Sequence, residues 1–234
     1  MAETNVPGNP GARKILLWLL RLLMKLLLRF EITNIEQVPL TGPVIVIMNH
    51  IAFLDPVMVL GSFPRLVIPL AKQETFDLFF WGPISRIYGV IPVKRGEADL
   101  QAIKSALGVL KNGGLVLLAP EGTRSPTYQM QAGKEGVALI ALRSGATIVP
   151  VGVVGTHQVK EHWFSLKRAP VYLSVGKPFC VRSQPANGRR QRADLKAITH
   201  EMMYRVAIEL PEEFRGVYGD LGQATRAYLM PLEN

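Results

Sequence analysis

The stretch Val44-Ile45-Val46-Ile47-Met48-Asn49-His50-Ile51-Ala52-Phe53-Leu54-Asp55-Pro56 decides the fold. Val44 to Met48 is short, β-branched and unbroken by polar residues, which is the pattern of a strand covered on both faces. Thr41-Gly42-Pro43 precedes it as a turn, and His50 falls just past its carboxyl end. Asp55-Pro56 reads as a helix cap followed by a first-turn proline, so a helix is predicted from Pro56 through Val57-Met58-Val59-Leu60 to Gly61.

His50 and Asp55 stand five positions apart. A straight helix turns such a pair about 140° away from each other, and a strand puts them on opposite faces. An imidazole and a carboxylate at this spacing meet only if the chain turns sharply between them. Taken singly, each also has an ordinary reading, Asp55 as a helix cap and His50 as a hydrogen-bonded loop residue.

A second polar loop follows a second buried run. Leu115-Val116-Leu117-Leu118 leads into Ala119-Pro120-Glu121-Gly122-Thr123-Arg124-Ser125. Ligands in open α/β sheets gather at the carboxyl ends of strands, so the two loops can share one site. The planar fork of Arg124 suits a phosphate group, with Glu121 fixing the guanidinium. A loop ion pair between Glu121 and Arg124, with no ligand, is the alternative.

With these residues in place, the sequence resembles the PlsC-like glycerolipid acyltransferases, which include the lysophosphatidic acid acyltransferases. Their N-H-x4-D signature is similar to Asn49, His50 and Asp55, and their E-G-T-R-S signature to Glu121 through Ser125 without a change. Their Arg-ending second signature resembles Gly89-Val90-Ile91-Pro92-Val93-Lys94-Arg95, with Ile91-Pro92 where an aromatic is common. Their apolar-apolar-Pro-apolar strand resembles Ile148-Val149-Pro150-Val151. The four motifs stand in the family's order between residues 49 and 151.

The resemblance implies acyl transfer from a thioester, acyl-CoA or acyl-carrier protein, onto the free hydroxyl of 1-acyl-sn-glycerol-3-phosphate, giving phosphatidic acid for phospholipid biosynthesis. No other cofactor and no metal are implied. His50 would be the general base, and Asp55 would hold its tautomer and stabilise the imidazolium. Lys72, Arg95, Glu121, Gly122, Thr123 and Arg124 would bind substrate, the cations by way of phosphate. Oxyanion donors are sought among the N–H groups between His50 and Asp55 or at the start of the next helix. A different lysophospholipid or glycerol phosphate as acceptor is a close variant, and a catalytically silent lipid-binding protein is the rival of another class.

The amino terminus points independently to lipid. From Arg13 to Arg29 the run R-K-I-L-L-W-L-L-R-L-L-M-K-L-L-L-R holds five cations and no acid, and its longest uncharged stretch is six residues. A spanning helix needs about 20 predominantly apolar residues. At helical spacing Lys14, Arg21, Lys25 and Arg29 fall within an arc of about 80°, the pattern of a helix lying in the membrane interface. The cations interrupt any secretory core, and no small-residue cleavage site follows before Val44. A helix packed on the domain's own core is the competing reading.

The remaining chain reads as one α/β domain, with a central mostly parallel or mixed sheet flanked by helices. Its expected divisions are a disordered amino terminus over 1–12, the amphipathic membrane helix and its connection over 13–34, and the acyltransferase domain over 35–234. Helices are predicted over Glu97 to Lys111, Lys134 to Ser144 and Arg189 to about Leu210, and strands over Leu66 to Ala71, Thr147 to Val154 and Val171 to Val175. Phe76 to Trp81 is an apolar loop that lines an acyl tunnel, touches lipid or packs in the core.

The 234 residues carry a net charge of +9, yet the amino-terminal cations are interleaved with leucine and no stacking-aromatic or nucleic-acid motif is present. Nucleic acid is therefore not an expected partner. Cys180 is the single cysteine, which forbids an intrachain disulfide and fits a reducing compartment. The expectation is a peripheral or monotopic protein on the cytoplasmic face of a membrane, of undetermined oligomeric state. Its partners would be membrane lipids, the lysophospholipid acceptor and the thioester donor.

Overall fold

Helices and strands alternate along the chain in the computed structural model, which describes residues 8–94, 99–182 and 192–232. The order is α1 (Pro10–Leu27), β1 (Leu28–Thr33), β2 (Val44–Met48), α2 (Asp55–Ser62), β3 (Val67–Lys72), α3 (Trp81–Tyr88), β4 (Ile91–Val93) and α4 (Leu100–Lys111). There follow β5 (Leu115–Leu118), α5 (Gly136–Ser144), β6 (Thr147–Val154), α6 (Val159–Phe164), β7 (Ala169–Val175), β8 (Phe179–Val181), α7 (Arg192–Ile208) and β9 (Leu229–Pro231).

Strand β2 lies between β5 and β6 and is parallel to both. β3 continues the parallel set beyond β5, and β4 continues it beyond β3. Five strands therefore end on one edge of the sheet. On the far side β7 runs antiparallel to β6, and β1 pairs parallel with β7, so the sheet is mixed.

Alternation along β2 sends Ile45 and Ile47 to one face and Val44, Val46 and Met48 to the other. The first face is covered by α4, α5 and α7 through residues such as Ala106, Ala138, Met202 and Val206. The second is covered by α1 and α2 through Met24, Met58 and Val59, with Val159 of α6 joining them. Each fully buried Val or Ile contributes roughly 1.5–3 kcal/mol, so β2 is a stiff platform for the turn that leaves it.

Several boundaries differ from the sequence expectation. The first helix begins at Pro10 and not Arg13, because the Asn9 side chain accepts the N–H of Ala12 and Pro10 occupies the first turn. It stops at Leu27, and the expected connection includes β1, where pairing with β7 overrides the helical propensity of a leucine run. Arg29 consequently sits on a strand, off the helical arc of cations. Trp81 to Tyr88 is helical where the sequence predicts the end of an apolar loop, and Val159 to Phe164 forms α6, a stretch for which no element is predicted. The basic residues Arg189 and Arg190 lie outside the described residues, and the described helix begins at Arg192.

Candidate active site

The turn leaving β2 is fixed before any ligand arrives. Asn49, fully buried, donates its side-chain amide to the Val153 carbonyl (2.9 Å) and accepts the Val153 N–H (2.8 Å), which pins the end of β2 to β6. One residue on, the His50 N–H donates to Oε1 of Glu121 (2.9 Å), and the His50 carbonyl accepts the N–H of Ser125 (2.8 Å). The loop after β5 thus grips both sides of the His50 backbone.

Asp55 is also fully buried. Its Oδ2 accepts the N–H groups of Ile51 and Ala52, each at 2.7 Å, and lies 3.0 Å from Nδ1 of His50. Oδ1 accepts the hydroxyl of Thr156, the second residue after β6. The carboxylate faces back into the turn and does not cap the helix it begins, because every bond it makes is to residues of the turn or to Thr156. The sharp turn required by the five-residue spacing is therefore made by the carboxylate itself. Ile51 and Ala52, two of the amides considered for an oxyanion, are already taken by Asp55.

The bond to Asp55 puts the proton of a neutral His50 ring on Nδ1. Nε2 then carries the lone pair, and it has no hydrogen-bond partner among the described residues. A half-buried imidazole with one nitrogen anchored and the other open can take a proton from a hydroxyl placed against it.

Glu121 does not meet Arg124. It is buried, and its second oxygen accepts the N–H of Gln131 (2.9 Å). Burial pushes its carboxyl up to about 7, the two backbone N–H bonds oppose that rise, and the negative charge of Asp55 adds to it. Gly122 follows with φ 71°, where a Cβ would lie 2.9 Å from Nζ of Lys134, so the glycine lets this lysine lie across the loop. Thr123 and Arg124 are exposed, and Arg124 adjoins the Ser125 N–H that holds His50. Neither Arg124 nor Lys134 has an ion-pair partner among the described residues. Lys72 ends β3 on the same sheet edge but pairs with Glu74 at 2.6 Å. Arg95 lies outside the described residues.

Sequence reasoning missed Thr156 and Lys134. Thr156 stands beside Asp55 because β6 pairs with β2, and Gly155 before it takes φ 89° where a Cβ would clash with the Pro170 carbonyl at 2.1 Å. His157 stacks on Tyr128 of the β5–α5 loop, with ring centres 4.6 Å apart, and burial lowers its pKa. On the opposite flank Phe53, inside the turn, packs edge-on against Trp81 at 4.6 Å.

A family profile described as Acyltransferase matches residues 29–154, more than half of the chain and the segment that carries both loops. The chain belongs to the acyltransferase family. Among proteins similar to this acyltransferase, a 1-acyl-sn-glycerol-3-phosphate acyltransferase of Borreliella burgdorferi is 31% identical over 62% of this chain and 56% of its own length. The chloroplastic 1-acyl-sn-glycerol-3-phosphate acyltransferase LPAT1 of Arabidopsis thaliana is 28% identical over 56% of this chain and 37% of its own length. The similarity thus spans about a third to just over half of these relatives. The crystal structure of the 1-acyl-sn-glycerophosphate (LPA) acyltransferase PlsC from Thermotoga maritima is similar with a TM-score of 0.58 and 25% identity, covering 82% of this chain and 78% of that one. Thr156 of this acyltransferase lies beyond the profile match, so one of the four bonds to Asp55 comes from outside it.

Proposed function

We propose that this acyltransferase moves an acyl group from an acyl thioester, acyl-CoA or acyl-carrier protein, to the free hydroxyl of 1-acyl-sn-glycerol-3-phosphate, forming phosphatidic acid. The observation that carries this reading is the open Nε2 of His50 on a ring anchored through Nδ1 to a buried, four-bonded carboxylate. As the acceptor oxygen attacks the thioester carbonyl, its proton passes to Nε2, and Asp55 stabilises the imidazolium. Collapse of the tetrahedral intermediate breaks the C–S bond, and the leaving thiolate takes the proton from Nε2. No covalent enzyme intermediate is needed, since the donor is already activated. General-base help of this kind contributes about 10² to 10⁴ in rate.

Arg124, Lys134 and Lys72 are the cations for the acceptor phosphate, with Arg95 assigned there from its sequence position and Gly122 and Thr123 supplying the tight loop. The named relatives act on 1-acyl-sn-glycerol-3-phosphate, which favours a phosphate-bearing acceptor.

The lipid partner is met at a membrane interface on the cytoplasmic face. Ile15, Trp18, Leu19, Leu22, Leu23 and Leu26 are exposed at intervals of three and four, a single apolar stripe along α1. Lys14, Arg21 and Lys25 lie along one flank of it. Leu78, Phe79 and Phe80 are exposed ahead of α3, which packs beside α1, and Trp81 links them to Phe53 of the catalytic turn. No described helix is long and apolar enough to cross a membrane.

The test is purified protein with a thioester donor and a panel of lysolipid acceptors, followed by thiol release and product mass. Phosphatidic acid is expected with 1-acyl-sn-glycerol-3-phosphate and is lost in His50→Ala. Thioester binding without acceptor-dependent turnover would overturn the reading.

A further inference from the structure

The turn that closes α6 carries apolar side chains that neither the core nor the catalytic turn uses. Trp163, Phe164 and Leu166 are 45%, 80% and 97% exposed. The turn is wound and not loose: the Ser165 N–H bonds to the carbonyls of Glu161 and His162, Leu166 N–H to Trp163, and Lys167 N–H to His162. Leu166 adopts φ 53°, a left-handed backbone that disfavours a leucine. A fixed turn that holds three large apolar groups in water, at a backbone cost, is shaped for an outside surface.

Charge says which surface. Lys160 and Lys167 flank the cluster, both exposed and neither paired with an acid among the described residues, and Nζ of Lys160 lies 5.9 Å from the Phe164 ring centre. Arg168, the next residue, donates Nε to the Leu28 carbonyl (2.9 Å) and Nη2 to the Lys25 carbonyl (2.7 Å). The tip is thereby tied to the end of α1, one residue from Leu26, where the exposed stripe stops. Trp and Phe beside lysines are side chains that settle at the headgroup level of an anionic bilayer.

We infer that the tip Trp163-Phe164-Ser165-Leu166 is a second foothold on an anionic phospholipid bilayer, separate in sequence from α1 and α3. This rests on the membrane-interface reading of α1. Six-residue α6 joins the foothold to the turn 156–158, which begins with the Thr156 that holds Asp55. The catalytic turn is then held to the lipid surface from two sides, by Phe53 against Trp81 and by Thr156 at the root of α6.

The chain has three tryptophans, so Trp18→Phe with Trp81→Phe leaves Trp163 as the only reporter. Vesicles of phosphatidylcholine with phosphatidylglycerol are expected to shift its emission to the blue, and lipids brominated on the upper acyl chain are expected to quench it. The triple variant Trp163→Ser, Phe164→Ser, Leu166→Ser in the otherwise natural chain is expected to bind these vesicles about tenfold more weakly. It should retain its turnover of a monomeric short-chain acceptor in water, which shows the fold intact. Lys160→Gln with Lys167→Gln is expected to weaken the preference for anionic lipid, the cations of α1 keeping the rest.

Natural chain that binds vesicles, with a triple variant that binds equally and Trp163 emission that does not move, overturns the foothold alone. Natural chain that binds no vesicles overturns the membrane reading and the foothold together. A triple variant that changes only the oligomeric state in light scattering, with vesicle binding intact, assigns the tip to a second copy and overturns the proposal.

Discussion

His50 has its backbone N–H, its carbonyl and its Nδ1 all bonded, whereas Arg124 and Lys134 on the neighbouring loop end in side chains with no ion-pair partner among the described residues. On the proposed function the base is thus built in advance, and the cations around it are left uncommitted. The contrast follows from what each must do. A proton acceptor works best when its orientation needs no rearrangement as charge develops, while a phosphate ligand that already held a carboxylate would have to give that partner up. Lys72 is intermediate, a cation on the same edge that holds Glu74.

Replacing the fixed element should cost most. His50→Ala is expected to lower kcat by about 10² to 10⁴ with little change in the acceptor KM, measured by initial rates of thiol release. A loss confined to KM would put His50 with the ligands and erase the distinction.

Glu121 sharpens the comparison through pH. Its carboxyl is raised in the folded chain to about 7 from 4.5. Between these values the folded state keeps a proton that the unfolded state releases, so this group's contribution to stability falls as pH rises through the window, by up to about 3 kcal/mol. Urea midpoints from pH 4.5 to 8 should therefore decline more steeply in the natural chain than in Glu121→Gln. Parallel curves would mean that the two backbone N–H bonds fully offset burial.

On the uncommitted side, Arg124→Ala removes charge-assisted bonds of about 1.5–3 kcal/mol, so the KM of a phosphate-bearing acceptor should rise roughly 10- to 100-fold with kcat nearly kept. A dephosphorylated acceptor should not respond. The smallest effect belongs to Lys72→Ala, a few-fold at most, because an exposed pair with Glu74 already offsets its charge. If Lys72→Ala exceeded Arg124→Ala in the same assay, the assignment of the free cation to phosphate would be reversed.

The same division governs what the sequence disclosed. Val44 to Met48 and Leu115 to Leu118 are legible as strands because both faces are covered and no polar residue interrupts them, and this alone puts His50 and Glu121 on one sheet edge. Leu28 to Thr33 is not legible, since its strand state depends on β7, more than 130 residues away. For Asp55 the cap-like Asp-Pro pair obscured a carboxylate that turns backward to Ile51 and Ala52. Thr156 has no local signature at all; only the pairing of β6 with β2 brings it to Asp55. Lys134 is likewise placed by Gly122, whose missing side chain is a feature of the loop and not of the lysine's own surroundings in sequence.

Whether Asp55 fixes His50 with Nε2 unprotonated and open can be read most directly by nitrogen NMR of the 15N-histidine-labelled protein at a pH where the ring is neutral. The Nδ1–H form is expected for His50, and a mixture of both forms with lowered kcat in Asp55→Asn. A proton found on Nε2 in the natural chain would contradict it.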